Sequence, residues 1–226
     1  MTNYRLPLAA AILLLTGACH AADTPTAPKP VATNPADPKP AAAKPAAAPA
    51  AAPAPAASAG SAPHWVQAPG SSLTFTFDQA GAASKGSFKQ FSTELAYDAK
   101  APTSGSLNVK IQIASIDTQD QERNDTLASA DLFDTKKYPT AQYVASSFAR
   151  TASGGLEAVG KLTLRGVTRD LRLPLKITPT TTGLELSGAT AIRRLDYGVG
   201  QGDWQSTEGV ADEVKVQYKV ALTKAK

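Results

Sequence analysis

The sequence has a single cysteine, Cys19, and only two histidines, His20 and His64. One cysteine cannot close an intramolecular disulfide, so a fold built by this chain has no covalent staple. Residues 65–226 contain neither His nor Cys. This shortage excludes Ser-His-Asp and Cys-His catalysis and His/Cys metal clusters there. We therefore expect a protein that is not an enzyme and needs no metal or cofactor.

The N-terminus lacks an apolar run long enough to cross a membrane. Residues 8–15 (LAAAILLL) are apolar, whereas a spanning helix needs about 20 residues. A short run after Arg5 and before small residues is typical of a secretory signal, here predicted over 1–18. Cys19 directly follows, an arrangement that resembles the lipobox of bacterial lipoproteins, although Thr16 stands where Leu is usual. We expect a periplasmic protein anchored to a membrane through lipidated Cys19; the alternative is cleavage near Ala21 and release as a soluble periplasmic protein.

Residues 19–63 lack aromatic side chains and consist mostly of Ala, Pro, Lys, Thr and Ser. Such a composition cannot bury enough apolar surface to offset the entropy lost on ordering. Recurring Pro also prevents helices from growing. The sequence predicts a disordered Pro/Ala/Lys tether between the signal and a folded domain at 64–226.

The predicted domain also lacks a strong charge of either sign. The first 63 residues hold four bases and two acids, so the remaining 19 bases and 17 acids leave a net charge near +2. A nucleic-acid-binding surface needs bases clustered on one face. Because the signs are interspersed, no nucleic-acid partner is expected.

What the domain does have is alternation of apolar and polar residues with a period of two. This pattern is typical of strands with one face in water and one in a core. About eight antiparallel strands are predicted near residues 72–77, 88–97, 107–113, 141–148, 156–164, 171–177, 184–192 and 214–222. Phe88 is one residue out of phase with Phe91, which predicts a bulge between them. Eight such strands fit either a closed barrel or a sandwich.

One stretch, residues 117–134, breaks the alternation. Asn124 can cap a helix that begins at Asp125. We predict a short crossover helix of about three turns over one end of the strands, and no other helix.

Five short motifs resemble the YceI-like family of lipocalin-like, polyisoprenoid- or lipid-binding envelope proteins. They occur in the family's order along the domain. In this sequence they are GSFKQF at 86–91, SIDT at 115–118 followed by Arg123, LFD at 132–134 with Tyr138-Pro139, GKLTLRGVTR at 160–169, and RLDYG at 194–198. The family often has a His after the SIDT motif, and this chain has none there.

The resemblance implies an extended, antiparallel, eight-stranded barrel with one short helix that binds a long lipid or isoprenoid chain (a polyisoprenoid, an isoprenoid quinone or a fatty acyl chain) without catalysis. Arg123 and Arg194 are the candidate contacts to a polar head group, although Arg194 could equally form a salt bridge with Asp117 or Asp196. The alternative is a ligand-free envelope interaction or stress-response module with a solid core. The predicted ligand-binding residues of the barrel interior are Leu73, Phe75, Phe77, Phe88, Phe91, Leu107, Val109, Ile111, Ile113, Phe133, Leu162 and Leu164.

Overall fold

The structure, a computed structural model, describes residues 62–225. The predicted signal segment, the lipidation site Cys19 and residues 19–61 of the predicted tether lie outside the described residues. The described part contains eleven strands and one α-helix. These are β1 (His64–Gln67), β2 (Ser72–Gln79), β3 (Ala82–Phe88), β4 (Phe91–Ala96), β5 (Ser106–Gln112), β6 (Ile116–Asp117), α1 (Gln121–Ala128), β7 (Thr140–Arg150), β8 (Leu156–Leu164), β9 (Val167–Pro179), β10 (Leu184–Arg193) and β11 (Val210–Lys224).

The strands form one antiparallel sheet that closes on itself. Pairing runs through β1, β4, β5, β7, β8, β9, β10 and β11, and β11 pairs again with β1 at Val66↔Thr223. A continuous ring of hydrogen-bonded neighbours leaves no gap between two sheets, so the sandwich alternative is wrong. The predicted eight-stranded antiparallel barrel is confirmed.

The other three strands extend members of this ring rather than adding to it. β2 lies in line with β1, because both pair with β11. In the same way β3 is in line with β4, and β6 is in line with β5 across the 3-10 turn Ile113–Ser115. We call each such line of strands a wall of the barrel. Eleven assigned strands therefore make eight walls, because three walls are interrupted.

At the position of the predicted bulge, between Phe88 and Phe91, the structure has a break between β3 and β4. At this point the Lys89 N–H donates to the carbonyl oxygen of Ser115 (3.0 Å) in place of a regular ladder. Extra residues in one strand change which face the following side chains take. As a result, Phe88 and Phe91 both face the barrel interior.

The sequence does not predict β1 or most of β3. β3 reads AASKGSF, in which Phe88 is the only large apolar residue, and most of its side chains are exposed or half-buried. A strand without an alternating apolar face gives no period-two signal. Its place is fixed instead by pairing with β2, at Phe77↔Ser84 for example.

The predicted crossover helix is present, but its start and length differ from the prediction. Helix α1 begins after Asp120, whose carboxylate accepts a hydrogen bond from the backbone N–H of Arg123 (3.1 Å). Asn124 lies inside the helix, and its Oδ1 accepts hydrogen bonds from the N–H (2.9 Å) and hydroxyl (2.8 Å) of Thr118. The predicted cap at Asn124 is therefore wrong: Asp is as good a cap as Asn, and the structure uses Asp120, four residues earlier. The helix has eight residues, or about two turns.

Among residues 62–225, α1 is the one α-helix, and no helix in that range is long and apolar enough to span a bilayer.

Candidate functional site

The barrel interior contains a cavity of about 400 Å³. Its wall joins two groups of apolar side chains. The larger group is a packed core around Leu107 and Leu186, and the smaller consists of Phe75, Phe77 and Ile116 with their neighbours. Cavities that bind small molecules usually measure about 300–1,000 Å³. The barrel interior is therefore not completely filled by side chains.

All twelve residues predicted for the barrel interior line this cavity. They come from four walls and from the segment after α1, and they are brought together because alternation points every second residue inward. That they bind a ligand stays a prediction. They are Leu73, Phe75, Phe77, Phe88, Phe91, Leu107, Val109, Ile111, Ile113, Phe133, Leu162 and Leu164.

A further set of lining residues carries the same period-two signal but is absent from the predicted set. These residues complete the wall on β9, β10 and β11, on the side of the barrel formed by the C-terminal half of the chain. They are Leu171, Leu173, Leu186, Ile192, Val210, Val214, Val216 and Val220.

Two tyrosines also line the cavity, and each hydroxyl is held by backbone. The Tyr143 hydroxyl lies 3.0 Å from the carbonyl oxygen of Ala158 and 3.1 Å from that of Leu171. The Tyr218 hydroxyl donates to the carbonyl oxygen of Pro174. Burial raises the pKa of both phenols, so both stay neutral. Neither supplies charge to the cavity.

Thr93 is the exception in this otherwise satisfied wall. It lies on β4 opposite Val109, is 1% exposed and lines the cavity. Its hydroxyl oxygen has no hydrogen-bond partner among residues 62–225. A buried hydroxyl without a partner costs about 1–3 kcal/mol.

Replacing Thr93 with valine, which has the same shape, is therefore expected to raise the free energy of unfolding of the empty protein by about 1 kcal/mol. Urea denaturation of the delipidated chain measures this change. A loss of stability would mean that the hydroxyl makes a bond that the valine cannot replace.

The polar part of the lining lies where α1 crosses the barrel end. Asp120, Glu122, Arg123 and Thr126 contribute from the helix and its cap, and Gln79 contributes from the end of β2. Asp120 and Glu122 are exposed, and the Arg123 side chain is 33% exposed. The Arg123 guanidinium lies 3.8 Å from the Asp120 carboxylate. We call these five residues the mouth of the cavity.

Arg194, the second predicted head-group contact, has a different role. It is 5% exposed and lines the cavity, but backbone carbonyl oxygens accept from its guanidinium at 2.6–3.1 Å. A guanidinium has five N–H donors. All five are used here, which leaves none for a ligand. The acceptors are the carbonyls of Val199, Trp204, Ser206, Val210 and Ala211.

The expected salt bridge from Arg194 to Asp117 or Asp196 is also wrong. Asp117 instead pairs with Lys89 at 3.1 Å, and the backbone N–H of Gln119 together with Lys89 lowers the pKa of its carboxyl. Carbonyl groups therefore accept from the Arg194 guanidinium, and the carboxylate that acts on its charge is that of Asp212 rather than Asp117 or Asp196. Burial lowers the pKa of its guanidinium.

The loop between β10 and β11 is held in place by Arg194. Gly200 has φ +118°, and a Cβ at this position would lie 2.0 Å from Nη1 of Arg194. Only glycine allows so close an approach in that conformation. The N–H groups of Gly200 and Gln201 donate to the carbonyl oxygen of Asp131 (3.1 and 2.8 Å), which joins the loop to the segment after α1. The loop around Gly200 is thus held both to Arg194 and to the segment after α1.

The described residues, 62–225, hold no group of three or more His, Cys, Asp or Glu side chains arranged to bind a metal ion.

Comparison with known proteins gives a consistent result. The model of the YceI-like domain matches residues 65–222. A UPF0312 protein of Shewanella sp. (strain ANA-3) is 31% identical over 140 residues, which cover 57% of this chain and 71% of that protein.

Solved structures of other proteins share the fold of this chain. The crystal structure of Burkholderia cenocepacia BcnA is similar with a TM-score of 0.64 and 31% identity over 66% of this chain and 94% of that one. A polyisoprenoid binding domain from Saccharophagus degradans shares the fold, with a TM-score of 0.59 and 16% identity over 73% of this chain and 99% of that one. Because the family model covers most of the sequence, the chain belongs to the YceI-like family.

Proposed function

We propose that this protein binds one long apolar chain, an isoprenoid or a fatty acyl chain, inside its barrel and carries or stores it without chemical change. The observation that carries the proposal is the apolar cavity within an otherwise packed interior. Protein interiors normally leave few voids larger than a water molecule. A void of this size, lined by aliphatic and aromatic side chains, favours an apolar occupant.

The size of the cavity sets how much of a chain it can enclose. At about 30 Å³ for each methylene-sized group, 400 Å³ accommodates on the order of a dozen carbons. Burying these gives about 10 kcal/mol gross, while association costs an estimated 4–15 kcal/mol. A short chain is therefore bound weakly, and a longer chain gains affinity until the cavity is filled and its end emerges.

The choice of an isoprenoid among apolar chains draws on one fold neighbour, whose name describes a polyisoprenoid binding domain. The likeness to that protein concerns the fold, so isoprenoid and straight chains have to be compared by experiment. Branched isoprenoid units and straight acyl chains both fit the chemistry of the wall.

A series of chains of increasing length tests the proposal. Displacement of a fluorescent long-chain alcohol from the delipidated full chain would be measured with straight-chain and isoprenoid alcohols. We expect affinity to rise with each added carbon and then level off near the capacity of the cavity. Failure of every chain to displace or bind would contradict a binding function.

We also propose that the protein acts in the bacterial envelope, anchored through Cys19. The apolar run before Cys19 and the small residues at 16–18 support this location. Replacing Cys19 with serine is expected to move the protein from the membrane fraction to the soluble fraction. Unchanged fractionation would contradict the anchor.

A further inference from the structure

Few charged side chains line the cavity, and not all of them are free to bind the head group of a ligand. Four charged side chains line it: Asp120, Glu122, Arg123 and Arg194. Arg194 donates all of its N–H groups to backbone carbonyls and is 5% exposed. It therefore cannot form the charge-assisted hydrogen bonds that an anionic head group requires.

The mouth is left with two carboxylates and one guanidinium. Arg123 is the one cation that residues 62–225 place there, and it lies 3.8 Å from Asp120, whose carboxylate also accepts from the Arg123 backbone N–H. Glu122 lies between them in sequence, in the first turn of α1, and lines the same cavity. The mouth carries a net charge of about −1 from these three groups, so a carboxylate or phosphate placed there meets repulsion from two like charges.

An uncharged polar head group of a ligand has hydrogen-bond partners in the mouth. Gln79 and Thr126 line the mouth with amide and hydroxyl groups that can both donate and accept hydrogen bonds. A hydroxyl, carbonyl or amide head could bond to these groups, and the carboxylates could accept from a hydroxyl or amide. Such a head brings no charge that needs compensation.

We propose that the mouth selects against anionic head groups, so that the occupant of the barrel is an apolar chain with an uncharged polar head, and that Asp120 and Glu122 determine this specificity. This inference rests on the proposed function. It separates neutral chains, such as alcohols, amides and quinones, from fatty acids and polyprenyl phosphates, which the same apolar wall would otherwise accept.

The test compares hexadecanol and hexadecanoate, two ligands with one chain and different heads. Binding to the delipidated full chain would be measured at about pH 8, where the carboxyl is ionised. The unmodified protein should bind hexadecanol more tightly. In the double variant Asp120→Asn, Glu122→Gln, the ratio of the affinity for hexadecanoate to the affinity for hexadecanol should rise about fivefold or more. Asn retains the helix cap, so α1 should persist.

Two controls sharpen the result. Glu94→Gln removes an exposed carboxylate on β4 that does not line the cavity, and it should leave both affinities unchanged. Raising the ionic strength to about 1 M, where the screening length is about 3 Å, should weaken the preference in the unmodified protein but not in the double variant.

The possible failures are distinguishable. If neither ligand binds the unmodified protein, the proposed function itself is wrong. If both bind but the double variant leaves the ratio of their affinities unchanged, the function stands and the role of Asp120 and Glu122 is overturned. Tighter binding of hexadecanoate than of hexadecanol by the unmodified protein would also overturn it.

Discussion

Replacing Arg194 with methionine is expected to lower the free energy of unfolding by about 3–5 kcal/mol. Methionine has a similar length but no donor, so five buried or part-buried carbonyl oxygens, in the loop between β10 and β11 and at the start of β11, lose their shared partner. Each buried acceptor left unpaired is costly, and water must enter to satisfy it. Urea denaturation followed by tryptophan fluorescence measures the change, and Trp204, whose carbonyl is one of the acceptors, lies in the loop that should loosen.

The adjacent residue provides a matched control. Arg193 has a side chain that is 73% exposed, and it pairs with Asp212 at 3.2 Å on the outside of the barrel. Exposed ion pairs contribute about 0–1 kcal/mol, so Arg193→Met should change stability by no more than that. Equal effects at the two positions would contradict the structural role assigned to Arg194.

Replacing Ile111 with tryptophan is expected to reduce affinity for a long apolar chain about tenfold to a hundredfold. Ile111 lies on β5, is half-buried and lines the cavity. The added ring takes space equal to two or three methylene groups, each worth about 0.8 kcal/mol when buried. Stability should change little, because the ring enters an existing void. In a filled core the same substitution would cost about 1–3 kcal/mol.

Lys110→Trp is the control for this substitution. Lys110 precedes Ile111 on the same strand, is exposed and does not line the cavity. It should leave both affinity and stability nearly unchanged, since a tryptophan there points to solvent. Titration with a fluorescent long-chain alcohol, combined with urea denaturation, measures both quantities. Loss of stability without loss of binding in Ile111→Trp would contradict the cavity as the binding site.

The sequence predicted the walls and the apolar lining because both follow from period-two alternation. Leu107, Val109 and Ile111 repeat every two residues, and pairing with β4 and β7 places them where that repeat requires. The bulge near Phe88 was predictable for the same reason, since a phase shift between two aromatic residues needs an extra residue. Most of β3 was not, because its small and polar residues take their place from the partner strand.

The roles of polar residues were harder to predict, because they depend on contacts far apart in sequence. Arg194 takes its five acceptors from residues 199–211, and no spacing rule distinguishes a guanidinium held by carbonyls from one that awaits a ligand. The unpartnered hydroxyl of Thr93 is likewise a property of its surroundings. Asp120 and Asn124 both fit the pattern of a helix cap, and only the folded chain shows which is used.

Native mass spectrometry of the full chain, purified from bacterial membranes in mild detergent, tests the central claim most directly. We expect a species heavier than the bare chain by the mass of one apolar molecule, which organic extraction removes and an offered long-chain alcohol restores. The Ile111→Trp variant should show less of this species, and Lys110→Trp should show as much as the unmodified protein. A chain that keeps its bare mass as purified, and also after exposure to every alcohol, isoprenoid and acyl chain offered, would contradict the account.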